Sequence, residues 1–190
     1  MSMKLLEDQS ITDALSALVK AQERSERSLS FTDISGYEGG VIGTCIGGIV
    51  GQIDACVREI SGLIGVLRDS ADPVPPEEPD ASDTEGQKVF AEEAERYWRE
   101  RMKLVHAVER CSLRVDAARA AGDVSFMDGI MEVRDTGLPP EEQAALTDVF
   151  LTLKDVYDAA AEAAEALRLR IARGGFEAGE ADGRGSSGDH

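Results

Sequence analysis

The chain has 190 residues with 37 acidic against 20 basic side chains, a formal charge of -17 at pH 7. Without a surplus of Lys and Arg to neutralise phosphates, direct nucleic-acid binding is set aside. The 42% hydrophobic and 5% aromatic content suits one helical core of moderate size, so a single domain is expected. Cys45, Cys56 and Cys111 fall inside helical patterns and read as reduced, buried thiols. The opening MSMKLLEDQS has no apolar run of signal-peptide length, and the expectation is a cytoplasmic protein.

Ser10 and Asp13 open a first helical pattern with a narrow stripe of Ile11, Leu15, Leu18 and Val19, which fades into AQERSERS near Ser28. Ser35 with Glu38 forms a better capping box for a second helix, whose Ile42, Ile46, Ile49, Ile53, Cys56, Ile60, Leu63 and Leu67 step by four and three. Gly39, Gly43, Gly47 and Gly51 recur at every fourth residue along one side of that helix. An acidic stretch with Pro73, Pro75, Pro76 and Pro79 then predicts an exposed linker over about 72–84.

Thr84 with Gln87 caps a third helix expected to run to about Ala121, with Phe90, Ala94, Tyr97, Leu104, Val108, Cys111 and Val115 on one face. Gly122 is expected to stop it, leaving VSFMDGIMEV as a short helix before a Gly-Leu-Pro-Pro turn. Pro140 and Glu141 open a last long helix with a seam from Leu146 through Phe150, Leu153 and Tyr157 to Ile171, ending at Gly174 and Gly175. The expected fold is all-α: a bundle of three long amphipathic helices and one or two short ones over residues 1–175. Residues 176–190 are expected to form a disordered tail.

The glycine strip admits three readings: close packing inside the bundle, association with a copy or another protein, or insertion into a membrane, for which the apolar run is short and lacks a basic flank. Helix-interior glycine costs about 0.5 to 1 kcal/mol relative to Ala, so several together favour a surface where backbones approach closely. The candidate interface comprises Gly39, Gly43, Gly47, Gly51, Ile42, Ile46, Ile49 and, separately, Trp98. The phosphate-loop spacings are not met in SGYEGGVIG, and His106 and His190 have no metal-ligand or triad partners in sequence. Asp148, Asp155, Asp158, Glu162 and Glu165 lie opposite the last apolar seam and read as a solvated face.

The resulting expectation is a non-enzymatic structural or adaptor protein, with no cofactor and no metal, that pairs with itself or with another protein through the glycine face. Two alternatives are an acidic inhibitor or regulator of a basic partner, and a metal-dependent hydrolase using Glu92, Glu95, Glu132 and Asp135.

Overall fold

The computed structural model describes residues 8–71 and 73–173. They form α1 (Gln9–Phe31), a short 3₁₀ turn (Ser35–Tyr37), α2 (Val41–Asp69), α3 (Thr84–Asp135) and α4 (Pro140–Arg173), with no strand among the described residues. The fold is all-α, and α2, α3 and α4 are its three long helices. The expected C-terminal tail lies outside the described residues.

Each boundary follows from local chemistry. The Asp8 carboxylate accepts the Ser10 backbone N–H at 2.9 Å, so the cap stands two residues before the serine expected to provide it. The polar run AQERSERS does not end α1, because Arg24 reaches Asp155 at 2.8 Å and the Ser28 hydroxyl donates to Asp148 at 2.6 Å. The acids of α4 read as a solvated face therefore seat α1 in part. The Ser35–Glu38 capping box is not formed: the Asp33 carboxylate takes the Ser35 N–H and hydroxyl, holding Ser35 in the 3₁₀ turn. Gly39, at φ +81, then turns the chain, and α2 starts after Gly40.

The largest departure concerns α3, which continues through Gly122 for 52 residues, about 78 Å at the usual helical rise. The expected short helix is simply its last turns. Gly122 and Gly129 are both buried, and each gives an α4 aromatic ring its place: a β-carbon at Gly122 would stand 3.1 Å from the Tyr157 ring, and one at Gly129 would overlap Phe150. The packing of two buried rings offsets a glycine penalty of about 1 kcal/mol each, and the helix persists.

In the assembled bundle α4 packs against α1, α2 and α3, and α2 pairs with α3, whereas α1 and α2 do not form a packed pair. The seams of α2, α3 and α4 make the core, with Tyr157, Phe150, Ile49, Leu67 and Leu167 fully enclosed. Arg101 donates to the Ile171 carbonyl at 3.2 Å, and Arg114 meets Glu59 at 2.9 Å, so α4 and α2 both end level with the start of the buried stretch of α3. The first turns of α3, before Leu104, contribute no buried residue. Phe90, Ala94 and Tyr97 are thus on an overhang rather than in the core. The proline-rich linker lies along it, with Pro73, Val74, Pro75 and Pro76 facing Tyr97 across a shallow groove and Gln87 donating to the Pro79 carbonyl at 3.0 Å.

Candidate interaction surface

The residues singled out by the sequence divide into three groups. Ile42, Ile46 and Ile49 are 4%, 4% and 0% exposed and belong to the protein's own core. Gly39 lies before α2, in the turn, and Gly43 sits under the Tyr37 carbonyl, where a β-carbon would collide with the backbone of the 3₁₀ turn. Gly47 and Gly51 are different: both are exposed, and a β-carbon at either would meet no atom within 4 Å. Gly62 and Gly65, further along α2, face open space in the same way. Beside this face, where α1 and α2 diverge, Leu29, Ile34, Gly43, Ile46, Gly47 and Val50 line an apolar groove of about 430 Å³. By length and composition α2 is also the one helix among the described residues able to cross a membrane.

Trp98 is 57% exposed on the α3 overhang, edge-on to Tyr97 with ring centroids 5.4 Å apart. Gly48 packs on Ser125, which puts Gly51 level with about residue 122 of α3. Trp98 therefore stands about 36 Å along the helix from the glycine face and forms no common surface with it.

A second apolar surface escaped the sequence reading. On the outer side of α3, Leu113, Val124, Met127 and Met131 are 66%, 63%, 55% and 55% exposed, with exposed Ala117 and Ala120 between them. These six residues step by four and three like the buried seam. The signal was present in sequence, but the expected break at Gly122 cut it in two.

The acids considered for a metal site are not brought together. Glu92 and Glu95 lie on the overhang, and Glu132 and Asp135 close the same helix, about 55 to 65 Å further along it, so the four acids do not converge on one ion. No cluster of three His, Cys, Asp or Glu side chains suited to a metal is present among the described residues. Burial pushes the Cys56 and Cys111 thiols up to about 11, which keeps both protonated at neutral pH.

The most connected polar group joins α3 to α4. The Tyr157 hydroxyl donates to Asp123 at 2.8 Å, Lys154 bridges Asp123 at 3.3 Å and Asp158 at 2.8 Å, and Arg119 pairs with Asp158 at 2.8 Å. Burial raises the Tyr157 phenol far above its ordinary value, with the Asp123 carboxylate adding to the effect. Every member has a partner, which suits a clamp between helices rather than a site awaiting a ligand.

Comparison of the chain with protein-family models, with curated proteins and with solved structures finds no match.

Proposed function

We propose that the protein is a non-enzymatic structural or adaptor protein that associates, with a copy of itself or with another protein, through the exposed glycine face of α2. The observation that carries this reading is the open space over Gly47 and Gly51. Glycines buried by their own bundle leave room that a neighbouring side chain fills, as Gly122 and Gly129 do for Tyr157 and Phe150. Gly47 and Gly51 weaken the helix without any such return inside the chain. A backbone from outside that approaches them closely supplies the missing contact.

The deciding experiment is the double variant Gly47→Leu/Gly51→Leu, followed by thermal melting of the helical signal and by light scattering. The reading expects a folded variant that has lost association. Loss of fold would place the two glycines in packing essential to the monomer, and unchanged association would remove this face from the interface.

A further inference from the structure

The geometry points to a two-fold symmetric dimer in which the outer seam of α3 pairs antiparallel with the same seam of a second copy, bringing the glycine faces of the two α2 helices together around Gly51. The inference extends the association reading above by naming the partner and its register.

The seam itself sets the register. Leu113, Ala117, Ala120, Val124, Met127 and Met131 lie on the solvent side of α3. Their four-three spacing is that of a coiled-coil seam. An antiparallel pairing centred at the level of Gly122 sets Leu113 opposite the partner's Met131, Ala117 opposite the partner's Met127, and Ala120 opposite the partner's Val124. A small residue meets a large one at the inner levels, and methionine adapts to fill what remains. A parallel pairing would instead stack the two alanine layers on themselves and leave gaps there.

Charges beside the seam agree with the antiparallel arrangement. Arg110 falls beside the partner's Asp135 and Glu109 beside the partner's Arg134, while Arg114, level with the partner's Asp128, also holds Glu59 of its own chain and Glu109 lies 3.8 Å from its own Arg168. The two Asp123 side chains near the axis each already hold a Lys154 ammonium of their own chain. Opposite-sign neighbours of this kind fix register more than they add affinity.

The second helix brings an independent agreement. Contacts from Arg114 to Glu59 and from Gly48 to Ser125 place α2 along one flank of the α3 seam, while Tyr157 and Lys154 place α4 along the other. In an antiparallel pair like flanks face each other, so α2 comes beside the partner's α2. The residues of α2 roughly a quarter-turn from its α3 contacts, on the side away from the core seam, are Gly47, Gly51, Arg58 and Gly62. The same two contacts make Gly51 level with Gly122, hence on the same axis. One symmetry operation thus covers both exposed faces, over a patch about 27 Å long and about 20 Å, or two helices, wide; that is about 540 Å² on each copy and about 1,080 Å² in all, at the lower end of what a specific interface needs.

Three substitutions on the full chain test this. Leu113→Cys and Met131→Cys are made in separate chains, mixed and treated with a short bis-maleimide. The three native cysteines are buried, so the introduced thiols dominate the reaction. The dimer predicts abundant cross-linking between the L113C chain and the M131C chain and at least tenfold less of either to itself, because like positions lie about 27 Å apart. Val124→Glu, at an exposed position, should keep the helical melt and reduce the scattering mass from twice 20.3 kDa to 20.3 kDa. Like-to-like cross-links, a dimer that survives Val124→Glu, or a wild type monomeric at millimolar concentration would each overturn the inference. A dimer sensitive to Gly47→Leu/Gly51→Leu but without the L113C-to-M131C cross-link would overturn this register and leave the association reading intact.

Discussion

The ring of Phe150 occupies the place in front of Gly129 where any other residue would put its β-carbon. Phe150 is fully buried and meets Phe126 edge-on at 6.4 Å, so a displaced ring would have to push on its core neighbours. Gly47, on α2, is the opposite case, with open space over it. The same substitution therefore carries opposite signs at the two sites. Gly129→Ala should destabilise the fold by about 1–3 kcal/mol through overpacking, despite the gain in helix propensity. Gly47→Ala should raise monomer stability by about 0.5–1 kcal/mol. Urea denaturation of both variants checks the pair; equal effects would refute the assignment of one glycine to the core and the other to a surface.

The Tyr157–Asp123 bond gives stability a definite pH dependence. The Tyr157 phenol is raised in the folded state, so its contribution is present below its ordinary value near 10 and is lost as pH climbs above it. Burial works against the Asp123 carboxylate, but hydrogen bonds from Tyr157 and Lys154 bring it below its ordinary value. Its contribution is present above pH about 4 and is lost as pH falls through the depressed range. Absorbance titration of the tyrosines should show one phenol ionising only with unfolding, and Tyr157→Phe should abolish that step. The same variant should cost about 1 kcal/mol, since water reaches the abandoned carboxylate. A Tyr157 that titrates normally in the folded protein would contradict the clamp.

All three cysteines are buried, with Cys56 fully so and its thiol 3.8 Å from the Val115 carbonyl. Ellman's reagent at pH 8 should leave the native protein unmodified for hours and react with three thiols at once in denaturant. Rapid reaction of any thiol in the folded state would show that the α2–α3 seam opens readily.

The single tryptophan is a reporter of the overhang. Trp98 is 57% exposed, so its emission should sit near that of indole in water, respond to iodide or acrylamide in the native state, and shift little on unfolding. A strongly blue-shifted native emission would mean that the overhang is covered.

What could be read from the sequence was whatever depends on period. The seams of α2 and α4 follow from local spacing and recur in the fold. Helix α3 begins at Thr84 as expected, but its cap is the Asp83 carboxylate, which accepts the Gly86 N–H at 2.9 Å, and Gln87 turns to the Pro79 carbonyl instead of closing a box with Thr84. Gly122 misled because helix propensity is a weak local term, and only the position of Tyr157 on another helix reveals why a glycine stands there. Ser35 misled because Asp33 competes for it. The overhang was not legible because its existence depends on how far α2 and α4 run alongside α3, a matter of tertiary register. For the glycine strip, spacing placed Gly43, Gly47 and Gly51 on one helix side, but only three dimensions separate the glycine closed under Tyr37 from the two that stay open.

The open glycine face of α2 is the centre of this account, and light scattering on the wild type beside Gly47→Leu/Gly51→Leu tests it most directly. The prediction is a wild-type mass that is a multiple of 20.3 kDa and a double variant of 20.3 kDa with an undiminished helical melt. A double variant that keeps the oligomeric mass of the wild type, or one that no longer folds, would contradict it, and a wild type of 20.3 kDa would contradict self-association through this face.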